Sequence, residues 1–332
     1  MYGNIETIIR QPSWLSKITK NNFEAHALAV FHFQYKNNET YRNYVNAIGK
    51  VPAKVNTLTD IPFLPIVFFK THKVISGNLN PDLVFESSGT TGTLNSKHYI
   101  ADAALYRQSF MQNFETFYGA ASEYVFLCLL PSYLERSNSS LAYMAGHLIQ
   151  TSKHPESGFY LDEWEQLATQ LQELLRKKKK VILLGVTFAL LDFAAAYPMD
   201  LSAAIVMETG GMKGRREEWS RKQVHDFLKQ KWQLNAVHSE YGMTELLSQA
   251  YAKKDGIFRS PGSMQVLARS ETDPFEVTIE GKGCLNVIDL ANVHSCSFIA
   301  TDDLVNIHPN QDFEVLGRLD HSALRGCSLM VV

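Results

Sequence analysis

The sequence predicts an α/β protein: mainly parallel sheets covered by helices, followed by a smaller β-rich C-terminal subdomain. Two observations carry this expectation. Between residues 124 and 238, apolar runs of strand length alternate with stretches of helix length, the pattern of a parallel sheet covered on both faces. From about Gly256 onward the texture changes to short alternating strands with turn signals, as in 275–279 and 284–288. The expected division is 1–255 for an α/β core with a helical N-terminal cap, and 256–332 for the β-rich part.

The elements follow in order. Residues 23–48 read as helices, with Ala25, Leu28, Ala29, Phe31 and Phe33 crowding one side and Gly49 as the stop. The apolar segment 61–69 is twice interrupted by proline, which suits a lead-in followed by a short strand. Leu83-Val84-Phe85 reads as a strand that empties into Glu86-Ser87-Ser88-Gly89-Thr90-Thr91-Gly92-Thr93, and 97–100 resumes an extended run. Asp102 caps a helix whose apolar face is Ala104, Leu105, Phe110, Met111, Phe114 and Phe117. Strands are then expected at 124–130, 181–186, 203–207 and 234–238, and helices at 139–150, 162–180, 188–196 and 217–231.

Composition narrows the function classes. The 332 residues are 45% apolar and 20% charged with a net charge of −2, which gives no global attraction to nucleic acid or anionic membrane. The run Arg176 to Lys180 sits at a helix end, where cations complement the dipole. Cys128, Cys284, Cys296 and Cys327 are too few and too scattered for a disulfide framework or a zinc site. No stretch approaches the ~20 apolar residues of a membrane helix, and Glu6, Arg10 and Lys17 argue against a secretory signal. A cytoplasmic protein is expected.

Ligands of open α/β sheets bind outside the carboxyl ends of strands, so the residues after each strand are the place to look. Four polar clusters stand there, and each also has a plain reading as a turn or cap. The loop Ser87 to Gly92 can bring backbone N–H groups and hydroxyls against a phosphate chain, although it lacks the Gly-Lys-Ser/Thr ending of a Walker loop. The segment Glu208-Thr209-Gly210-Gly211-Met212-Lys213-Gly214-Arg215-Arg216 pairs two glycines, which admit a flat ligand, with basic residues suited to phosphates. In Ser239-Glu240-Tyr241-Gly242-Met243-Thr244-Glu245, Tyr241 offers a ring for stacking. Thr244 offers a hydroxyl at an expected helix start, and Glu245 an oxygen ligand for Mg²⁺. Thr301-Asp302-Asp303-Leu304 and Leu316-Gly317-Arg318-Leu319-Asp320 supply a carboxylate able to hold vicinal ribose hydroxyls and an arginine near it.

Taken in order, Ser87-Ser88-Gly89-Thr90-Thr91-Gly92, Tyr241-Gly242-Met243-Thr244-Glu245, Thr301-Asp302-Asp303-Leu304 and Gly317-Arg318-Leu319-Asp320 resemble the core motifs of the adenylate-forming superfamily. The resemblance is nearest to the LuxE family, the acyl-protein synthetases of bacterial fatty-acid reductase. It is carried by 130–136, by Glu208 to Arg215, and by the ending Arg325-Gly326-Cys327-Ser328-Leu329. Phenylacetate-CoA ligases are more distantly similar. The resemblance implies the large N-terminal domain of adenylate-forming enzymes, with ATP and Mg²⁺ as cofactors. Ser87, Ser88, Gly89, Thr90, Thr91 and Gly92 would hold the β- and γ-phosphates. Gly210 and Gly211 would flank adenine, with Tyr241 against its face, and Gly242 would belong to the same nucleotide-binding set. Thr244 would touch the α-phosphate, Glu245 would bind Mg²⁺, and Asp303 and Arg318 would hold the ribose.

The sequence departs from the superfamily's usual pattern in two places. Gly92 is followed by Thr93-Leu94-Asn95 rather than x-Pro-Lys, leaving Lys97 two residues late. Only twelve residues follow Asp320, so no C-terminal lid with its catalytic lysine is expected. The resemblance therefore implies ATP-dependent activation of a carboxylic acid, by likeness a fatty acid. The acyl group would pass to Cys327 and then to a partner protein such as an acyl reductase. An acyl-adenylate is a mixed anhydride with a good leaving group, toward which a thiolate is a strong nucleophile. The alternatives are a free-standing ligase that hands the acyl group to coenzyme A or a carrier protein, and a non-catalytic nucleotide-binding remnant.

Overall fold

The computed structural model describes residues 5–9, 11, 13–87, 94–130, 138–210 and 219–319. Its first strand, β1 (Leu64–Pro65), is followed by a helical turn at Phe68–Thr71, so the apolar segment there is only briefly extended. β2 (Leu83–Glu86) and β3 (Lys97–Ile100) form an antiparallel hairpin with Phe85 opposite His98 and Glu86 opposite Lys97. The Ser/Gly/Thr segment connects these two strands; of its residues, Ser87 is described and Ser88, Gly89, Thr90, Thr91 and Gly92 lie outside the described residues.

The alternating middle of the chain forms one sheet. Its strands are β4 (Val125–Leu129), β5 (Gly158–Tyr160), β6 (Val181–Val186), β7 (Ile205–Thr209), β8 (His238–Tyr241) and β9 (Ala250–Ala252). Among the described residues the order is β5-β4-β6-β7-β8-β9, parallel except for β9, which runs against β8. Every residue of β4 and β6 is buried, as expected of strands with helices on both faces. The helix Trp164–Arg176 shows the local logic: Leu167, Ala168, Leu171 and Leu174 make one buried stripe at helical spacing. Helix starts carry the expected chemistry, with Asp102 Oδ1 accepting from Leu105 N–H at 2.9 Å and a capping box between Ser220 and Gln223 opening the helix Arg221–Trp232.

The rest of the chain builds a second sheet from β10 (Ile257–Phe258), β11 (Met264–Arg269), β12 (Val277–Thr278), β13 (Gly281–Asp289), β14 (Phe298–Ile307) and β15 (Phe313–Arg318). The order is β10-β15-β14-β13-β11-β12, antiparallel throughout, and β1 joins it as a parallel partner of β14. The N-terminal helices Phe23–Asn37 and Glu39–Ala47 cover this sheet. Gln34 is fully buried and donates to the Asn292 and Val293 carbonyls at 3.0 Å, while Phe31 and Tyr41 pack on Phe298.

Several sequence expectations shift. The strand expected at 234–238 lies at β8 (His238–Tyr241), so Ser239, Glu240 and Tyr241 are inside the strand rather than beyond it. An apolarity criterion ends that strand too early because Glu240 is a buried carboxylate; Thr209, directly opposite on β7, donates to it. Thr244 does not open a helix. Residues 244–245 form a turn whose carbonyls are taken by side chains from other elements. β5 and β9 are three-residue strands that the sequence pattern does not announce, and the expected strand 275–279 contracts to Val277–Thr278.

The two sheets are fastened by Asp289 at the end of β13. This fully buried carboxylate accepts from Leu247 N–H (2.7 Å), Ser248 N–H (2.9 Å), Ser248 Oγ (2.6 Å) and Ala291 N–H (3.1 Å). Burial raises its pKa, and the donors counter that effect. Asp289→Ala would strand these buried donors, and a loss of about 3 kcal/mol or more in urea unfolding is expected. A loss below about 1 kcal/mol would show that the anchor is dispensable.

Candidate functional site

The carboxyl end of β8 meets the second sheet where β14 and β15 pair, and three of the predicted residues, Tyr241, Asp303 and Arg318, come together there. Tyr241, the last residue of β8, donates from its hydroxyl to Asp303 Oδ2 at 2.7 Å. Arg318, opposite Asp303 in the β14–β15 register, donates from Nε to Oδ1 at 3.1 Å. Asp303 is buried, whereas the Arg318 side chain is 81% exposed. Each carboxylate oxygen of Asp303 thus spends one acceptor position on the protein and keeps another for a ligand hydroxyl. The Tyr241 ring is packed edge-on against Phe258 and Phe313, with centroids at 5.9 and 6.0 Å. Burial, then the Asp303 charge, raises the Tyr241 pKa well above that of a free phenol, so it stays a donor.

A second convergence lies at the base of the Ser/Gly/Thr loop. Ser87 and Ser96 close that base: Ser87 N–H donates to the Ser96 carbonyl at 3.0 Å, and Ser96 N–H donates to Ser87 Oγ at 2.9 Å. The Ser96 hydroxyl faces the buried Glu245 carboxylate. Burial raises the Glu245 pKa and that hydroxyl works against it. His98, fully buried on β3, meets the Thr244 carbonyl through Nδ1 at 2.8 Å; as the acceptor is a carbonyl, Nδ1 carries the proton. Burial lowers the His98 pKa to about 4, leaving the ring neutral at pH 7. Lys97 points away and pairs with Glu86 across the hairpin at 3.3 Å.

Gly210 ends β7 in a left-handed conformation with φ of 72°, which favours glycine, and its carbonyl accepts from Thr187 Oγ1 at 3.0 Å. Gly242 is exposed; a Cβ on it would stand 2.5 Å from Glu240 Oε1, so this backbone passes closely over a buried carboxylate. Gly211 and Cys327 lie outside the described residues. Burial pushes the Cys128 and Cys296 thiols up to about 12 and raises Cys284, so none of these three is a thiolate at neutral pH. Among the described residues, no cluster of three or more His, Cys, Asp or Glu could hold a metal by itself.

Beneath these residues runs a polar network that single-residue reasoning does not select. Glu208 on β7 is held by Arg221 Nε at 3.2 Å and stands 3.6 Å from His225 Nε2; Thr187 Oγ1 is 3.1 Å from its other oxygen. Burial opposes the charge on Glu208, but the nearby His225 ring and the Arg221 guanidinium outweigh it and lower the pKa. Arg221 also donates to the Val315 carbonyl at 3.0 Å and lies over the Phe258 ring, linking β7 to the sheet that carries Arg318. The neighbouring Glu240 goes the other way. Burial, and to a lesser degree the Glu208 charge, push it up to about 7, although Thr209 donates to it. Acidic residues inside otherwise buried strands are the one signal in the sequence that marks Glu208 and Glu240. Nothing there marks Ser96, His98 or Arg221.

The sequence profile of the family described as Acyl-protein synthetase, LuxE, matches residues 8–332. The chain belongs to the LuxE acyl-protein synthetase family. No curated protein sequence matches it. Solved structures show the same fold as this LuxE-family chain. ATP-bound MatB from Rhodopseudomonas palustris aligns with a TM-score of 0.54 at 16% identity, over 84% of this chain and 58% of its own. A double mutant of o-succinylbenzoate CoA synthetase (MenE) from Bacillus subtilis aligns with a TM-score of 0.52 at 14% identity, over 74% of this chain and 50% of its own. The LuxE-family chain therefore has the α/β fold of the N-terminal domain of adenylate-forming enzymes, with a β-rich C-terminal part, and spans about half the length of these structures. No helix among the described residues is long and apolar enough to cross a membrane.

The raised pKa of Glu240 has a sign that can be measured. Between its ordinary value of 4.5 and about 7, the folded protein holds a proton that the unfolded chain has released. The stabilisation this gives is complete below the ordinary value and is lost as pH rises through about 7. Relative to Glu240→Gln, wild-type stability should fall by up to about 3 kcal/mol between about pH 4.5 and about pH 8, read from urea unfolding. An unchanged difference across that interval would contradict the assignment.

Proposed function

We propose that this protein activates a carboxylic acid, by family likeness a fatty acid, as an acyl-adenylate at the expense of ATP. It then passes the acyl group through Cys327 to a partner protein. The observation that carries the reading is Asp303, a buried carboxylate aligned by Tyr241 and Arg318 at the carboxyl edge of a parallel sheet. Family membership supports it, as does the juxtaposition of Ser96, which is hydrogen-bonded to Ser87, with the Glu245 carboxylate.

Asp303 would accept both ribose hydroxyls, one on each oxygen, with Arg318 fixing the carboxylate. Gly210 and Gly211 would let adenine approach the backbone, with Tyr241 and Gly242 bordering it. Thr244, in the turn after β8, would reach the α-phosphate. Backbone N–H groups and hydroxyls of Ser87, Ser88, Gly89, Thr90, Thr91 and Gly92 would hold the departing pyrophosphate. Mg²⁺ characteristically takes one or two carboxylates with phosphate oxygens rather than an all-protein cage, and the single buried carboxylate of Glu245 fits that donor set. When bound, the ion would neutralise charge on the phosphates.

The substrate carboxylate attacks the α-phosphorus and the bond to pyrophosphate breaks. The Cys327 sulfur, having lost its proton, then attacks the acyl carbon, and AMP leaves with the electron pair of the C–O bond. A second transfer to a nucleophile of the partner, by likeness an acyl reductase, regenerates the thiol.

Labelled pyrophosphate should enter ATP only when a suitable carboxylic acid is present, and Asp303→Ala should raise KM for ATP about tenfold or more with a smaller effect on kcat. With labelled fatty acid, the protein should acquire a hydroxylamine-sensitive label that Cys327→Ser lacks while retaining exchange. No exchange with any acid of a broad panel would favour a non-catalytic nucleotide-binding protein. Coenzyme A-dependent AMP release by Cys327→Ser would favour a free-standing ligase.

A further inference from the structure

The strand that leaves the Ser/Gly/Thr loop is tied directly to the turn that carries Glu245. Ser96 and His98 are both buried, while Lys97 between them is exposed, so the two side chains project to one side of the extended chain. On that side the Ser96 hydroxyl faces the Glu245 carboxylate and works against the rise that burial gives its pKa, and His98 Nδ1–H donates to the Thr244 carbonyl at 2.8 Å. The next carbonyl, that of Glu245 itself, accepts from Asn292 Nδ2 at 2.7 Å. The two consecutive carbonyls of this turn are therefore each held by a separate group, and its carboxylate stands beside the Ser96 hydroxyl.

The His98 ring is a costly way to fill this space. It is fully buried and meets Phe69 edge-on, and its Nε2 has no hydrogen-bond partner among the described residues. A leucine would fill the same volume without burying an unsatisfied nitrogen. What the imidazole contributes is the bond to Thr244. In the opposite direction, Ser87 and Ser96 exchange two bonds that close the loop's base. Ser87 and the Glu245 turn are thus both held by the same short stretch of chain.

We propose that Ser96 and His98 are positioning residues: they orient the Glu245 carboxylate and the 244–245 backbone for the divalent cation that would accompany a bound nucleotide, and they tie that turn to Ser87. The proposal rests on the reading of Glu245 as the cation ligand. Groups that orient a metal-binding carboxylate characteristically change metal affinity by about tenfold or more when removed.

The test titrates Mg²⁺ against wild type and variants at fixed ATP, with nucleotide binding read by calorimetry, exchange activity in parallel and Tm for each protein. His98→Leu and Ser96→Ala should raise the half-saturating Mg²⁺ concentration about tenfold or more. His98→Asn, whose amide nitrogen can stand where Nδ1 stands, should recover to within about threefold of wild type. Lowered Tm with unchanged Mg²⁺ dependence would make both residues merely structural and overturn the proposal. Wild-type ATP binding that ignores Mg²⁺ would overturn the reading of Glu245 first, and the proposal with it. Should His98→Leu fail to fold, Ser96→Ala, which removes a single hydroxyl, decides between these outcomes.

Discussion

The buried carboxylate of Asp303 is the constraint on which the candidate site depends. It stands on one sheet and is grasped by a phenol from the other, so the Tyr241–Asp303 bond fixes how the carboxyl edge of the parallel sheet meets the antiparallel one. Arg318, opposite it in the strand register, keeps the charge compensated. A carboxylate left alone at that depth would be costly to ionise. Because Tyr241 and Arg318 each occupy one oxygen from its protein side, the remaining acceptor positions are set for hydroxyls arriving from outside. In the proposed function the structural contact and the ligand-binding contact are the same group.

The neighbouring acids divide the remaining work by environment. Glu208 is kept ionised by Arg221 and His225, and through Arg221 it ties β7 to β15. Glu240, one strand over, is buried, accepts from Thr209 and is pushed toward neutrality. Asp289 stitches the segment after Glu245 to the end of β13. Polar groups this well enclosed are tolerated where they are paired, and here the pairs run between elements far apart in sequence. The result is a firm frame around the turns that the proposed chemistry uses.

Much of this frame was legible from the residues, and the parts that were not share a cause. The parallel sheet followed from apolar runs such as 181–186, and helix starts from Asp102. Tyr241, Asp303 and Arg318 were singled out by motif order, and the structure brings these three into contact. The β8 strand was misplaced because burial of Glu240 depends on Thr209, a partner on another strand. The same holds for His98, whose bond to Thr244 spans 146 residues of sequence, and for β1, which pairs with β14. Local pattern reports propensity and amphipathicity; it does not report which distant group will satisfy a buried polar atom.

The central claim is that a carboxylate oxygen attacks the α-phosphorus of ATP in this site. The most direct measurement supplies a carboxylic acid labelled with ¹⁸O in its carboxyl group, with ATP, Mg²⁺ and hydroxylamine as acyl acceptor, and weighs the nucleotide products by mass spectrometry. The account predicts AMP carrying one ¹⁸O per turnover, transferred from the acid when the acyl–oxygen bond breaks. Release of ADP with ¹⁸O in inorganic phosphate, or AMP free of label, would contradict it.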